Sequence, residues 1–307
     1  MKPKIAVLGS INMDLVVTAP RHPSIGETIK GRDFRMIPGG KGANQAVAIA
    51  RQNILSVFIG CVGEDAFGEQ LLNLMNDEGI NTAHVRCLDS IPTGIASIVV
   101  DDQSQNTIVI ASGANDNISQ TQLDQASADI AEAELLICQL ETNFDAVEKA
   151  IDVAFANKTG IILNPAPVRE LPDDLFPKID YLIPNETEAG LLTGHAISDQ
   201  DSAMKAAGQL ITKGAKNVLL TMGLQGVYWA DSQAVKHFPA FKVKPVDTTA
   251  AGDTFVGSFA AGLINNLPTE INIRRAQAAA AISVTKMGAQ PSIPTEDEID
   301  LFLKEDS

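Results

Sequence analysis

The chain has 307 residues, 45% hydrophobic and 20% charged, with 23 Lys and Arg against 38 Asp and Glu for a formal net charge of −15. This balance fits a globular chain with a large core and excludes a disordered one. It also argues against a nucleic-acid surface, which needs clustered Lys and Arg facing phosphates.

In chain order, the apolar run Ile5–Leu8 predicts a first buried strand. Gly9-Ser10 cuts the run short, so no leader peptide is expected, and no apolar stretch approaches the roughly 20 residues of a membrane span. The expectation is a cytoplasmic protein that binds neither membrane nor nucleic acid. Asn12 and Asp14 follow the strand and would project from its carboxyl end, where Asp14 can grip two adjacent hydroxyls; a turn cap is the plainer alternative. Residues 15–37 carry strand-like runs with no helix between them.

Pro38-Gly39-Gly40-Lys41-Gly42-Ala43-Asn44-Gln45-Ala46 is a glycine-rich loop opening a helix, expected over Ala43–Arg51. It is not a Walker loop, because Gly42 stands where a Ser or Thr would hold magnesium. Its glycines bring backbone close to a ligand, and Lys41 and Asn44 are taken as its functional side chains, since Asn44 can both donate to and accept from sugar hydroxyls. An ordinary strand-to-helix turn is the alternative.

A strand over Val57–Cys61 and a helix over Phe67–Glu78 follow. A second strand-only segment spans 93–110, with a polar-tipped hairpin over Val99–Ile108. The two helix-free segments are expected to form a small antiparallel appendage. Strands over Leu135–Leu140, Gly160–Asn164, Tyr181–Pro184 and Val218–Thr221 alternate with helices over Phe144–Ala156, Asp199–Lys213 and Ile271–Thr285. Such βα alternation predicts an α/β fold, a mostly parallel central sheet with helices on both faces, with ligands at the strands' carboxyl ends. Cys61, Cys87 and Cys138, in no metal-ligand spacing, read as buried small apolar side chains in a reducing compartment. The four scattered histidines suggest no zinc site.

Two late motifs are equivocal on their own. Asn185-Glu186-Thr187-Glu188 reads as a capping box. Thr221-Met222-Gly223-Leu224-Gln225-Gly226 is either a nucleotide-lining edge or a simple turn.

The most informative stretch is Val246-Asp247-Thr248-Thr249-Ala250-Ala251-Gly252-Asp253-Thr254-Phe255, entered by an extended Phe241–Val246 and left as a helix through Gly257–Leu263. Backbone N–H groups at a helix N-terminus favour a phosphate, and Asp253 beside it can take a proton from an attacking hydroxyl. The plainer reading is that Gly252 permits a tight turn and Asp253 caps the helix.

Together the loops at 38–46 and 246–255 resemble the two signature regions of the ribokinase-like carbohydrate kinases, the PfkB family. The resemblance runs from Gly9-Ser10-Ile11-Asn12-Met13-Asp14 through Pro23-Ser24-Ile25-Gly26-Glu27-Thr28 to Gly288-Ala289-Gln290-Pro291-Ser292. The wider family usually has Gly where this chain has Ala250; Ala there is similar to the ribokinase branch. The resemblance implies one domain over 1–307 with a small β-sheet lid from about 13–37 and 93–110, and a homodimer through paired lids.

It further implies ATP-dependent phosphorylation of the 5-hydroxyl of D-ribose, with 2-deoxyribose or another sugar or nucleoside as alternative. Asn12, Asp14, Gly40, Lys41, Gly42, Asn44 and Glu141 would contact the sugar or the arriving phosphate. Asp253 would be the base, and the backbone of Ala250, Ala251, Gly252 and Asp253 the anion hole. Asn185 and Glu188 would place magnesium, Glu188 through water. Thr221, Met222, Gly223, Leu224, Gln225, Gly226, Gly252, Asp253 and, more weakly, Gln277 would line ATP. Asp247, the Thr249 backbone and the Ser283, Lys286, Gly288 and Ser292 positions would hold an activating potassium ion. A non-catalytic sugar-binding regulator would be favoured by loss of Asp253 or Gly252, both present, and a dinucleotide oxidoreductase lacks its glycine fingerprint.

Overall fold

The computed structural model describes residues 4–103 and 105–305. The chain begins β1 (Ile5–Leu8), β2 (Asn12–Thr18), β3 (Asp33–Gly39), α1 (Lys41–Ala50), β4 (Ser56–Gly63), α2 (Ala66–Asp77), β5 (Asn81–Leu88), β6 (Gly94–Val100) and β7 (Asn106–Ala111). It continues α3 (Gln120–Glu132), β8 (Leu135–Cys138), α4 (Phe144–Asn157), β9 (Gly160–Leu163), β10 (Tyr181–Leu182), α5 (Glu186–Thr193), α6 (Gln200–Thr212) and β11 (Asn217–Thr221). It closes with β12 (Val227–Ala230), β13 (Val235–Phe238), α7 (Ala251–Ile264), α8 (Thr269–Ser283) and α9 (Glu296–Glu305).

The large sheet has the order β13-β12-β11-β10-β9-β8-β1-β4-β5, parallel except for the β11–β12–β13 meander. Its central strands are continuous apolar runs such as Ile-Ala-Val-Leu in β1, as burial on both faces demands. The two-residue period sends Ala6 and Leu8 into one core with α3, α4 and α6, and Ile5 and Val7 into the other with α1, α2, α7 and α8.

A second sheet has the order β3-β2-β6-β7. It is not wholly antiparallel as expected: β2 and β3 pair antiparallel, as do β6 and β7, but β2 and β6 run parallel, Asn12 opposite Gly94 through Thr18 opposite Val100. Two hairpins lie side by side through their first strands, which fixes that central pairing. Ser104, near the tip of the second hairpin, lies outside the described residues.

Other differences have local causes. β5 and α9 were not expected, because their apolar residues are sparse and only one face is covered. α3 was also missed; it is marked only by the Ser119 N-cap, whose side chain accepts from Gln122 N–H. Cys87 is exposed rather than buried, because it lies on β5 at the sheet's edge. Phe241–Val246, expected only as an extended entry to the turn, belongs to neither sheet, and Val246 N–H donates to Val284 O at 2.7 Å. Among the described residues no helix is long and apolar enough to cross a membrane.

Candidate active site

The carboxyl edge of the large sheet is closed by two helix N-termini, those of α1 and α7. Gly40 is the N-cap of α1 at φ 90°, a backbone region that disfavours a side chain. A Cβ there would lie 2.7 Å from Asn12 N, and one at Gly42 would lie 2.6 Å from Gly9 Cα. A Cβ on Gly39 would lie 2.5 Å from Asp14 Oδ2. The glycines therefore let α1 start against the end of β1, with Asn12 and Asp14 packed beside it.

That placement points the first turn of α1 at the first turn of α7. Asn44 Nδ2 donates to Asp253 Oδ2 and Gln45 Nε2 to Asp253 Oδ1, both at 3.0 Å. Asn44 Oδ1 is buried and has no hydrogen-bond partner among the described residues. Such an acceptor beside the carboxylate is suited to a ligand hydroxyl. Asp253 does not cap α7, and Gly252 is not the strained residue. The N-cap is Ala250, in the left-handed region at φ 61°, with no side-chain cap. Glycine at this position in the wider family has the same physical reason. Ala251 N–H turns toward Thr248 O at 3.3 Å, and the first regular helical bond is from Thr254 N–H to Ala250 O. The N–H groups of Gly252 and Asp253 are those the helix leaves without a carbonyl.

Lys41 lies among four carboxylates. Burial works against its charge, but Asp253, Glu141, Glu188 and Asp14 outweigh it and hold its pKa above the ordinary lysine value. Burial, then Glu141 and Asp253, push Asp14 up to about 7, opposed by Lys41. Burial also raises Asp253, opposed by Lys41, Asn44 and Gln45, and raises Glu188, opposed by Asn185 and Lys41. Glu141 accepts from Ser10 Oγ at 2.6 Å and from Lys41 N–H at 3.2 Å.

Two cavities meet at the start of α7. One, of about 210 Å³, is polar and is lined by Lys41, Asn185, Glu188, Thr248 and Ala250–Asp253 among others. The other, of about 340 Å³, is apolar and is lined by Leu224, Val227, Phe241, Val243, Phe255, Ala280 and Val284 among others. Thr221, Thr248, Ala251 and Gly252 belong to both walls.

Of the residues expected at the nucleotide, Thr221, Gly223, Leu224, Gly226 and Gln277 line the apolar cavity, while Met222 and Gln225 do not. Met222 is buried, and Gln225 Nε2 turns to Ser198 O at 3.5 Å. Gln277 Nε2 is committed to Phe238 O at 2.9 Å. Asn185 and Glu188 form the capping box in full. Asn185 N–H and Nδ2 engage both Glu188 carboxylate oxygens, and Glu188 N–H donates to Asn185 Oδ1.

The expected cation loops come together through Asp247, whose Oδ1 accepts from Thr249 N–H at 2.9 Å and whose Oδ2 accepts from Gly288 N–H at 2.9 Å. The Ser283 and Ser292 hydroxyls donate to Ala280 O and Ala289 O. The Lys286 ammonium is drawn away to Glu298 at 2.6 Å, so only its backbone is available to this site.

The structure adds residues that the sequence reading passed over. Asn115 Nδ2 donates to Asn12 Oδ1 at 2.7 Å, and its Oδ1 accepts from Ile11 N–H. Gln139 Nε2 donates to Gln45 Oε1 at 2.6 Å, and Gln45 Nε2 also reaches Asn164 Oδ1 at 3.2 Å. Gln45 stands inside the quoted glycine-rich loop, which was the available signal. Gln139 and Asn164 were hidden inside the expected strands Leu135–Leu140 and Gly160–Asn164, which end at Cys138 and Leu163, just before them.

A family model described as pfkB family carbohydrate kinase matches residues 2–296. The Haemophilus influenzae ribokinase is 44% identical over 304 residues, covering 99% of each chain. A deoxyribokinase of Salmonella typhi is 37% identical over 97% of this chain and 98% of its own. Among solved structures, Arabidopsis thaliana ribokinase complexed with ribose and ATP superposes with a TM-score of 0.90 at 31% identity over 99% of both chains. The Thermotoga maritima ribokinase gives 0.89 at 38%, over 98% of this chain and 99% of that one.

Proposed function

Because the chain belongs to the pfkB family of carbohydrate kinases, we propose that it transfers the γ-phosphoryl of ATP to the 5-hydroxyl of D-ribose, giving D-ribose 5-phosphate and ADP. The observation that carries the reading is the start of α7. It holds Asp253 in a polar cavity and, with Thr221 and Thr248, contributes Ala251 and Gly252 to the wall shared with an apolar cavity of about 340 Å³ that can take a nucleotide base. Sugar and nucleotide can then meet with one carboxylate between them.

Asp14, Asn12, Asn44, Lys41 and Glu141 hold the sugar, Asp14 gripping two hydroxyls. Asn44 Oδ1, without a partner among the described residues, accepts a hydrogen bond from a sugar hydroxyl. Asp253 takes the proton of the attacking hydroxyl. Charge developing on the phosphoryl group is met by Lys41 and the N-terminal N–H groups of α7.

The all-oxygen character of Glu188 beside Lys41 in the polar cavity suits magnesium, but both Glu188 oxygens are held by Asn185, so its contact would pass through water. When bound with ATP, magnesium would offset phosphate charge. Asp247 with the backbone of Thr249, Lys286, Gly288 and the Ser283 and Ser292 positions would hold potassium. The carboxylate that ties both loops together supplies the hard oxygen donors this ion takes.

The second sheet is proposed as a lid over the sugar, since β2 carries Asn12 and Asp14 directly into it. Its strands β3 and β7 expose Phe34, Met36, Ile108, Val109 and Ile110, which supports a homodimer formed by paired lids. A cytoplasmic location, where ATP is available, belongs to the same proposal.

The test is ATP-dependent phosphorylation of ribose, 2-deoxyribose, fructose and adenosine, each with and without potassium, followed by ADP release. A clear preference for ribose with potassium stimulation is the expected result. Preference for 2-deoxyribose would move the assignment to that sugar, in line with the Salmonella typhi relative named a deoxyribokinase. Measurable ATP binding without turnover on any of the four would overturn the substrate.

A further inference from the structure

Asp253 is gripped by two amides, and one of them is itself fully committed. Gln45 and Gln139 are both completely buried. The two N–H bonds of Gln45 Nε2 go to Asp253 Oδ1 and Asn164 Oδ1, and its Oε1 accepts from Gln139 Nε2 at 2.6 Å. Asn164 is oriented in turn by donating to Ile183 O at 2.8 Å. Reversing the Gln45 amide would set its oxygen against the oxygens of Asp253 and Asn164, and its N–H groups against those of Gln139. The network therefore has one sense, imposed by the Asp253 carboxylate, which can only accept; Gln139, the residue immediately after β8, completes it by donating to Gln45 Oε1, while its own Oε1 has no partner among the described residues.

The helices hold the distance. Gly257 on α7 lies so close to α1 that a Cβ there would be 2.6 Å from Gln45 O. The separation between the Gln45 side chain and Asp253 thus follows from helix packing rather than from a mobile loop.

We propose that Gln45, its oxygen held by Gln139, is a positioning residue for the catalytic base: it fixes the Asp253 carboxylate so that one oxygen faces the sugar hydroxyl and keeps that carboxylate able to accept a proton. The inference rests on the assignment of Asp253 as the base. The charged groups facing Asp253 are Lys41 from α1, Glu141 beyond β8, Glu188 from α5 and Asp14 from β2. Against three carboxylates and burial, the donors favouring ionised Asp253 are Lys41 and the two amides of Asn44 and Gln45. Loss of one amide raises the pKa at which the base becomes protonated, so the acid limb of the kcat profile moves to higher pH.

The experiment compares pH profiles of kcat and KM for the full-length wild type, Gln45→Met, Gln139→Met, the double variant and Asp253→Asn, with thermal melting of each. For Gln45→Met, kcat at neutral pH is expected to fall at least about tenfold, a fraction of what a single base supplies. Its acid limb should move up, with KM for ATP unchanged. Gln139→Met should shift the limb in the same direction by less, and the double variant should be no worse than Gln45→Met, because the two act through one chain of bonds. A buried pair that only packs the core would lower the melting temperature and leave the limb where it was. That result, with Asp253→Asn inactive, overturns the proposal while leaving the base assignment intact. Near-normal kcat in Asp253→Asn removes the base assignment and this proposal with it. If Gln45→Met does not fold, the limb of Gln139→Met decides.

Discussion

At the scale of single residues, the site places ionisable groups where burial and neighbours alter their protonation. Asp253→Asn keeps the shape, with Asn44 able to turn its unpartnered oxygen to the new N–H₂ group, but removes the proton acceptor, so kcat is expected to fall by about 10²–10⁴-fold while KM for either substrate changes little. Steady-state kinetics check this, and a kcat near wild type would exclude Asp253 as the base. Asp14 makes a different prediction. Its folded-state pKa is raised from 3.8 to about 7. Between those values the folded chain keeps a proton that the unfolded chain has released, so stability falls as pH rises through that window. Asp14→Asn should melt higher than wild type at pH 8, by on the order of 1–3 kcal/mol, and the gain should vanish near pH 4. The same variant should lose sugar affinity, and wild-type KM for the sugar should rise as pH drops below about 7, the Asp14 value. Equal melting shifts at both pH values would remove Asp14 as the responsible group.

At the scale of elements, the short 3₁₀ turn Gly113–Asn117 follows β7 and is tied to the start of β2 through Asn115. Because Asn115 donates to Asn12 Oδ1, the N–H₂ group is what Asn12 would offer the sugar under the proposed assignment. Asn115→Leu frees that amide to rotate. KM for the sugar is expected to rise about tenfold, the scale of one lost hydrogen bond with a buried partner left unpaired, and KM for ATP to stay constant. An equal rise in both constants would point to general loosening of the edge instead. This element also shows what the sequence could not disclose. β1, β8 and β9 were legible because buried parallel strands are unbroken apolar runs, and Lys41, Asn44 and Asp253 because glycines and small residues flank them. Asn115, Gln139 and Asn164 contact their partners across separations of 94 to 119 residues in sequence, or more than 100 in the case of Asn115 with Asn12. No local pattern encodes such a meeting. The parallel pairing of β2 with β6 escaped for the same reason, since hairpin signals specify partners within a hairpin and say nothing of how two hairpins abut.

At the scale of the whole molecule, the alternation of apolar strands and amphipathic helices was enough to predict the layered α/β plan, and the two helix-free segments marked the second sheet. The polar cavity was less legible, because its electrostatic character belongs to no single motif. Asp14, Glu141, Glu188 and Asp253 come from β2, the loop after β8, α5 and α7, and they converge on one ammonium, that of Lys41. The chain as a whole carries −15. A net charge of that sign would repel an approaching nucleotide at long range and leave its capture to short-range contacts. Charge repulsion over such distances is screened beyond about 10 Å at 0.1 M salt. The expected consequence is an inverted ionic-strength response. Adding choline chloride, which supplies neither potassium nor magnesium, should accelerate nucleotide association in stopped-flow measurements, where a basic phosphate cradle would be slowed. A slowing here would mean that the helix termini dominate the approach. An acceleration would make ambient salinity, as distinct from any particular ion, a setting on how quickly the molecule can be recharged between turnovers.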